Sequence, residues 1–328
     1  MLTKRQNLLE TIRGGNPDRF VKQYEAFAMQ IPNGFSIHNP SPKPGQMNVV
    51  NAWGVTRSWP AGMPGAFPVH TPDKIVIKDI ENWREYLKVP QVKYDAQVWE
   101  PFIAAAEAVD RNEYFVTSAV FPGIFEQCHY LTEIQNCLMA FYEYPDEMQE
   151  IIDEITNFEM ELAEEICKYI KPDALFHHDD WGSQISTFLS PAMFREFIKP
   201  YYVELWGLCR EHDVDSWLHT CGNISEIIGD LIECGLSVLH PLQKGTMDWD
   251  AVAAKWKGKI AFLVGMDVQD TLINGTPDDV RREVRLIRDT FDTPGGGLLY
   301  AAGNGIVRGT PLENIDAFLD ECLTYGNS

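Results

Sequence analysis

The chain is short of positive charge and of long apolar segments. It carries 27 lysines and arginines against 48 aspartates and glutamates, a formal net charge of −21 over 328 residues. A surface this acidic repels phosphate backbones, so we expect no nucleic-acid partner. No stretch approaches the roughly 18 apolar residues of a membrane span, and the first residues lack the apolar segment of a signal peptide. We therefore expect a cytoplasmic protein without a membrane partner.

Two familiar sequence patterns are also missing. The seven cysteines are scattered and form no Cys-x-x-Cys pair, which indicates reduced thiols rather than a disulfide framework. No Gly-x-Gly-x-x-Gly turn follows the first predicted strand, so the pattern does not favour an open dinucleotide-binding sheet.

Short apolar runs alternate with amphipathic stretches from residue 114 onward. This alternation predicts a parallel sheet with helical crossovers. Six runs, together with an early strand at Val21–Phe27, approach the eight strands of a closed (β/α)8 TIM barrel. We predict a single barrel domain over residues 1–328, with an N-terminal helix and a long covering loop at about 33–68. The six runs are Tyr114–Val120, Ala174–Asp180, Asp215–Cys221, Ser237–Leu242, Ile260–Asp267 and Gly297–Asn304.

Ser/Thr-Pro pairs mark the starts of three predicted helices. A hydroxyl caps the first free amides of a helix, and proline fits its first turn. The last pair is followed by Glu313, which predicts a capping box in which Glu313 reaches back to the amide of residue 310. The three pairs are Ser190-Pro191, Thr276-Pro277 and Thr310-Pro311.

Polar side chains collect where the predicted strands end. Because barrel active sites lie at the carboxyl ends of strands, we expect these side chains to converge on one mouth. In the run 177–180, His178 and Asp180 alternate with His177 and Asp179 along the strand. We predict that His178 and Asp180 point inward as catalytic groups and that the other two residues support them. Glu126 follows another strand end and is the third catalytic candidate. Three further strand-end residues are candidate substrate contacts, namely His240, Asp267 and Asn304.

Aromatic side chains are candidates for an apolar substrate pocket. Trp53, Phe125 and Trp181 lie near the polar motifs in the sequence. Each of them is also a natural core residue, since aromatic side chains bury large apolar areas. Both interpretations stay open at this point.

His219 and Cys221 lie two residues apart in a predicted strand. Side chains at this spacing point to the same face, and imidazole and thiolate are preferred zinc ligands. The pair therefore predicts a zinc site, with a packed core histidine beside a buried thiol as the alternative. The spacing alone reveals no third ligand.

Taken in order, these motifs resemble the uroporphyrinogen decarboxylase superfamily, especially its cobamide-dependent methyltransferase branch. The resemblance implies a (β/α)8 barrel with its ligand site at the strand ends. It rests on Trp53-Gly54, the turn 123–126, Asp179-Asp180-Trp181-Gly182, Ser190-Pro191-x-x-Phe194-x-x-Phe197-x-x-Pro200, His219-x-Cys221-Gly222-Asn223, Gly265-x-Asp267-x-Gln269, Gly275-Thr276-Pro277 and Thr310-Pro311-Leu312-Glu313-Asn314.

The chain departs from this family at two places. True decarboxylases carry an Arg-Gln-Ala-Gly-Arg element where residues 23–27 read Gln-Tyr-Glu-Ala-Phe, so we do not expect porphyrinogen decarboxylation. The zinc methyltransferases take a third ligand from a Gly-Cys-Gly turn, where this chain has Gly303-Asn304-Gly305. An oxygen or nitrogen must then complete a zinc site, supplied by Glu126, His178, Asp180, His240 or Asp267.

The resemblance implies a methyltransferase that moves a methyl group from a small methylated donor to a corrinoid protein. A zinc with fewer sulfur ligands is more Lewis-acidic and suits an ether oxygen, so we predict O-demethylation of a methyl ether. The implied cofactors are zinc, on His219 and Cys221, and a corrinoid carried by the partner protein. Three alternatives remain: metal-free methyl transfer between a corrinoid protein and tetrahydrofolate, a decarboxylase-like lyase acting on another carboxylate, and a non-catalytic barrel that binds a corrinoid protein.

Overall fold

The computed structural model describes residues 1–30, 41–63, 65–301, 303 and 305–325. Asn304 and part of the predicted covering loop lie outside these residues. Among the described helices, none combines the length and apolarity that a bilayer crossing requires.

The strands and helices are numbered here in chain order. The strands are β1 Val21–Lys22, β2 Phe27–Gln30, β3 Val49–Val50, β4 Thr56–Ser58, β5 Phe67–Pro68, β6 Phe115–Val120, β7 Ala174–His178, β8 Asp215–His219, β9 Val238–His240, β10 Ala261–Gly265 and β11 Leu298–Ala301. The α-helices are α1 Lys4–Ile12, α2 Gln23–Ala26, α3 Ala96–Glu107, α4 Ile124–Thr132, α5 Ile134–Glu143, α6 Pro145–Tyr169, α7 Pro191–Met193, α8 Lys199–Glu211, α9 Ile228–Cys234, α10 Trp249–Trp256, α11 Thr271–Asn274, α12 Pro277–Phe291 and α13 Leu312–Thr324. A 3₁₀ turn, Trp83–Glu85, and a π-helical turn, Phe194–Ile198, complete the described elements.

Eight parallel strands of the described chain form one curved sheet, in the order β1-β11-β10-β9-β8-β7-β6-β2. The two outermost strands are joined by the four-residue helix α2, so the chain itself brings the ends of the sheet together. Val21 pairs with Leu299, and Phe27 pairs with Phe115. This is the (β/α)8 barrel that the sequence predicts. The early strand predicted at Val21–Phe27 is divided, because its two parts pair with opposite neighbours.

Aromatic rings fill the barrel interior. Phe115 stacks on Trp217 with ring centroids 5.5 Å apart, and Phe176 meets Trp217 edge-on at 5.8 Å. Phe176 also lies edge-on to His240 at 5.8 Å. The interior is therefore a packed core rather than a channel, and its aromatic layer contacts the polar cluster at the strand ends.

Two of the three predicted helix caps are confirmed. The hydroxyl of Ser190 accepts a hydrogen bond from the amide of Met193 at the start of α7. Thr276 forms a capping box with Asp279 at the start of α12, in which each side chain accepts from the amide of the other residue. Both caps satisfy amides that have no partner within their own helix.

The third cap prediction is wrong. The hydroxyl of Thr310 donates to the carbonyl oxygen of Val307 at 2.8 Å. Helix α13 begins after Pro311 without a side-chain cap. Because the hydroxyl is used within the preceding turn, the capping box with Glu313 does not form.

Part of the predicted covering loop is a small antiparallel sheet of β3, β4 and β5. The chain that follows it is bound to helix α4. The amides of Val76 and Ile77 donate to the carbonyl oxygen of Leu131 at 3.1 and 2.9 Å, and the His70 ring donates to the carbonyl oxygen of Tyr130 at 3.2 Å. The segment 49–68 is called the covering sheet below, and its place over the mouth stays a prediction.

One glutamate lies inside the hydrophobic core, on α6. Glu159 is 2% exposed, and neither of its carboxyl oxygens has a hydrogen-bond partner within the described parts of the chain. Burial, reinforced by the charges of Asp179 and Glu126, raises the pKa of Glu159 well above its ordinary value. Burial therefore favours the protonated, neutral form of Glu159 in the folded protein.

We expect Glu159→Met to stabilise the protein, and more strongly at high pH. Because the pKa is higher in the folded than in the unfolded state, the stability linked to this proton is present at low pH and is lost as the pH rises. Methionine avoids that loss and removes an unsatisfied polar group, so the free energy of unfolding should rise by about 1–3 kcal/mol at pH 8. Denaturant titration at pH 5 and pH 8 measures the difference. An equal gain at both pH values would contradict the protonated state.

Candidate functional site

The polar ends of β7 and β8 meet at the carboxyl end of the barrel, as predicted. The two strands run in register with His178 opposite His219, and their rings stack with centroids 4.3 Å apart. Asp180 Oδ1 lies 3.7 Å from His219 Nε2. Ligand-capable atoms of His178, Asp180 and His219 all lie within 4.8 Å of one another, a spacing that one metal ion can bridge.

Cys221 contacts two members of this cluster. Its Sγ lies 3.3 Å from His219 Nε2, and its amide donates to Asp180 Oδ1 at 2.7 Å. The next residue, Gly222, has φ +79° and lies so close to Gly182 that an added Cβ would collide with the Gly182 backbone. This close contact between the turns after β7 and β8 holds the thiol and the carboxylate near the same nitrogen of His219.

His240 determines the orientation of the His219 ring. Its Nε2 lies 3.1 Å from the carbonyl oxygen of Gly303, and since a carbonyl only accepts, Nε2 carries the proton. The Nδ1 of neutral His240 is then an acceptor, and it lies 2.8 Å from Nδ1 of His219, which donates. His219 Nε2 is therefore left with its lone pair directed toward Asp180 and Cys221.

Burial favours the neutral form of both His219 and His240. Burial lowers the pKa of His240 to about 3. Burial, with the neighbouring His178 and His240, lowers the pKa of His219 well below its ordinary value. A neutral imidazole whose other nitrogen is fixed by a hydrogen bond is the form that binds metals.

The zinc site predicted from the sequence makes the role of His240 testable, since His240→Phe should then weaken zinc binding by about 10- to 100-fold. Phenylalanine fills similar space but no longer accepts the proton of His219 Nδ1, so the ring is free to turn or to present the wrong tautomer. Competition with a chromophoric zinc chelator measures the change in Kd. His212→Phe replaces an exposed histidine and should leave the Kd unchanged. An unchanged Kd in His240→Phe would contradict the tautomer assignment.

Glu126 and His178 form a second pair beside the first. Glu126 Oε2 lies 2.7 Å from His178 Nδ1, and the Tyr130 hydroxyl donates to Glu126 Oε1 at 3.4 Å. Burial opposes a charge on His178, but Glu126 and Asp180 outweigh it and raise the pKa of His178 to about 9. The side chain of His178 is still 37% exposed. The pair thus presents a protonated, accessible imidazole.

Asp179 binds the backbone at the N-terminus of α4, where Glu126 lies. Its carboxylate accepts hydrogen bonds from the amides of Phe125 and Glu126 at 3.1 and 2.8 Å and from the Tyr202 hydroxyl at 2.8 Å. A Cβ on Gly123 would overlap the Asp179 side chain, so glycine is required where the helix begins. Burial and the charge of Glu126 raise the pKa of Asp179 to about 7.

The profile of the family described as uroporphyrinogen decarboxylase (URO-D) matches residues 68–325, which is most of the chain. The chain belongs to the URO-D family. Family membership confirms the resemblance that the sequence motifs carry.

Two kinds of URO-D relative match the chain. Methylcobamide:CoM methyltransferase MtaA of Methanosarcina barkeri is 31% identical over 132 residues, covering 40% of this chain and 36% of the relative. The methylated-thiol–coenzyme M methyltransferase of Methanosarcina mazei is 26% identical over 185 residues, covering 54% and 45%. A uroporphyrinogen decarboxylase of Pseudoalteromonas translucida is 26% identical over 194 residues, covering 56% and 49%. The chain thus spans less than half the length of each of these relatives.

A solved structure of a methyltransferase from Methanosarcina mazei resembles this URO-D chain over its whole length. The TM-score is 0.69 at 16% sequence identity, and the match covers 98% of both chains. The similarity confirms the (β/α)8 barrel.

The aromatic residues predicted to contact substrate are buried. Trp53 packs edge-on against Phe158 in the main hydrophobic core, with centroids 4.8 Å apart. Phe125 is fully buried in the first turn of α4, and Trp181 is 3% exposed. The structure places all three as packing residues of the core, and their contact with substrate stays a prediction.

Asp267 follows β10 at the same end of the barrel. Its carboxylate accepts from the amides of Gln269 and Asp270 at 3.0 and 3.1 Å, which closes the turn after the strand. Asp267 also lines a small cavity with Pro241 and Gly303. Its predicted role as a substrate contact stays a prediction.

Two tyrosines of the site were not identified from the sequence. Tyr130 lies four residues after Glu126 on the same helix, a spacing that places two side chains on one face, so a local signal existed. Tyr202 lies on α8, 23 residues after Asp179, and no local pattern connects the two.

Proposed function

We propose that the chain transfers a methyl group from a small methyl ether to the corrinoid of a partner protein. The observation that carries the proposal is that two residue pairs lie in contact. One pair is His219 with Cys221, and the other is His178 with Glu126. The rings of His178 and His219 stack with centroids 4.3 Å apart and join the two pairs. An alkoxide or phenolate is a poor leaving group and needs both a cation and a proton. The named activities of the methyltransferase relatives support the corrinoid link.

The donor set fits zinc. It consists of the neutral imidazole of His219, the thiol of Cys221 and the carboxylate of Asp180. His219 Nε2 lies 3.3 Å from Cys221 Sγ and 3.7 Å from Asp180 Oδ1. We propose His219 and Cys221 as ligands and Asp180 as the oxygen that replaces the missing second cysteine. When bound, zinc would supply a Lewis acid for the departing oxygen.

His178 donates the proton in this proposal. Glu126 holds the ring through Nδ1, so Nε2 is the nitrogen that presents a proton to the leaving oxygen. When the carbon–oxygen bond breaks, its electron pair stays on oxygen, and the proton from His178 converts that oxygen to a free alcohol or phenol. The corrinoid of the partner supplies the electron pair for the new bond to the methyl carbon. The carboxylate of Glu126, 2.7 Å from His178 Nδ1, stabilises the imidazolium before transfer.

Methyl transfer to cob(I)alamin tests the proposal. We expect the purified protein to convert a methoxylated aromatic donor and cob(I)alamin into methylcobalamin and the free phenol in equal amounts, followed by absorbance and chromatography. The matching methyl thioether should react more slowly. Faster transfer from the thioether would contradict the ether assignment, and absence of transfer from either donor would contradict the methyltransferase proposal.

A further inference from the structure

A small cavity lies among the turns that follow four strands of the barrel, at the end that carries the candidate site. Gln184, Pro241, Asp267 and Gly303 line it from the turns after β7, β9, β10 and β11. Gly265 forms part of its wall, and a Cβ at this position would lie 2.5 Å from the Cα of Gly303. The cavity volume of about 40 Å³ holds roughly three water-sized groups, so it admits a short substituent of a ligand but not a ring.

Two walls of the cavity are hydrogen-bonded to the candidate site. The carbonyl oxygen of Gly303 lies 3.1 Å from Nε2 of His240. Gln243 also lines the cavity, and its Oε1 accepts from the amide of Gly222, directly after Cys221, at 2.7 Å. The cavity therefore adjoins the candidate site, and one ligand can reach into both.

Gln243 offers a hydrogen-bond donor to the cavity that it lines. A backbone amide only donates, so the atom of Gln243 that accepts from Gly222 is Oε1, and the other end of the side chain is the NH₂ group. Within the described parts of the chain, no group accepts a hydrogen bond from this Nε2. A ligand that fills the cavity displaces water from the half-buried Gln243. The free donor therefore favours a ligand that brings an acceptor atom, because a donor left without a partner is unfavourable.

The charged residues of the cavity make an anionic ligand unfavourable. Lys244 lines the cavity, but its ammonium group is paired with the carboxylate of Glu283. The Glu283 side chain is 2% exposed and also accepts from the Thr271 hydroxyl at 2.6 Å, so this ion pair is held in place. The carboxylate of Asp267 adds a negative charge to the lining. An uncharged acceptor therefore fits this cavity better than a carboxylate, because like charges placed together are costly.

We propose that this cavity binds a carbonyl group of the methylated substrate through Gln243 Nε2, so that the substrate class is uncharged methyl ethers that carry a carbonyl substituent. This inference rests on the proposed function, because it assigns the methylated substrate of that reaction. Gln243 acts as a specificity-determining residue with two tasks. Its Oε1 holds the turn after Cys221, and its Nε2 selects the substituent.

Binding calorimetry on the full chain, without cob(I)alamin, tests the proposal independently of turnover. The probes are 4-methoxyacetophenone and 4-isopropylanisole, in which a methyl group stands where the ketone has its carbonyl oxygen. We expect the parent protein to bind the ketone at least about fivefold more tightly than the hydrocarbon analogue. The anion 4-methoxybenzoate, which has a similar shape, should bind more weakly than the ketone.

The variant Gln243→Glu separates the two ends of the side chain. Glutamate still accepts from the Gly222 amide but has no N–H to donate. Ketone binding should therefore weaken by about fivefold or more, while binding of 4-isopropylanisole changes by less than about twofold. Zinc content should stay at the parent value, because the hydrogen bond to the turn after Cys221 is kept. Gln97→Glu makes the same change at an exposed position of α3 and should keep the full preference for the ketone.

Several outcomes would overturn the assignment. These are binding of the hydrocarbon by the parent protein as tightly as the ketone, tighter binding of 4-methoxybenzoate than of the ketone, no detectable binding of any probe, and equal loss for ketone and hydrocarbon in Gln243→Glu, which would make Gln243 a support for the turn alone. The thermal midpoint of each variant identifies a folding defect, and the ketone preference of the parent protein decides the question if Gln243→Glu does not fold. Failure of the proposed function looks different: 4-methoxyacetophenone donates no methyl group to cob(I)alamin, although the binding preference for the ketone persists.

Discussion

Replacing His178 by glutamine should slow the proposed methyl transfer by about 10²- to 10⁴-fold while leaving the zinc content of the protein unchanged. Glutamine still donates a hydrogen bond from a similar position, but it carries no transferable proton. The Glu126 carboxylate, 2.7 Å from the ring, would then have no imidazolium to stabilise. The measurements are the rate of methylcobalamin formation and the zinc content of the same sample.

The partner variant Glu126→Gln makes this prediction sharper. If the two residues act as one unit, the double variant should be little slower than His178→Gln alone, because the rate losses from substituting groups that act together do not add. His212→Gln, at an exposed histidine, should transfer at the parent rate. Loss of zinc in His178→Gln would identify His178 as a ligand instead of a proton donor. An undiminished rate would remove it from the mechanism.

Replacing Cys221 by serine should remove zinc and methyl transfer together, with a rate loss of about 10³-fold or more, because several kcal/mol of transition-state stabilisation depend on the metal. Cys221 is the described cysteine that is half-buried, whereas the other six are buried. It contacts His219 Nε2 at 3.3 Å, and the sequence has Asn304, not a second cysteine, in the turn 303–305. Losing the single thiolate should therefore weaken zinc binding more than it would in a two-cysteine site.

The matched control is Cys322→Ser. Cys322 is 3% exposed on α13, so serine there should lower the thermal midpoint while zinc content and activity per folded molecule stay normal. Zinc and activity are measured on the folded fraction of both variants. If Cys221→Ser behaves like Cys322→Ser, the cysteine is structural and the zinc site is wrong.

Much of the site could be predicted because it depends on periodicity within single strands. The two-residue alternation of a strand places His178 with Asp180 and His219 with Cys221, and parallel strands bring both pairs to one end of the barrel. The 3.7 Å approach of Asp180 to His219 confirms this prediction. The barrel itself follows from the alternation of apolar runs and amphipathic helices.

The rest depends on contacts between distant segments, which no local pattern encodes. The tautomer of His219 is fixed by His240 and by the Gly303 carbonyl, 63 residues beyond His240. The wrong cap prediction at Thr310 also reflects a contact outside the helix. The Thr310 hydroxyl donates to the Val307 carbonyl instead of capping the helix that follows.

Zinc titration of the metal-free protein tests the central claim most directly. The protein is stripped with a chelator, zinc is added back in steps, and methyl transfer from a methoxylated donor to cob(I)alamin is measured at each step. The rate should rise linearly and reach a plateau at one zinc per chain, and the same titration of Cys221→Ser should stay flat. Full activity in the metal-free protein would contradict the zinc mechanism and would favour metal-free transfer between a corrinoid protein and tetrahydrofolate.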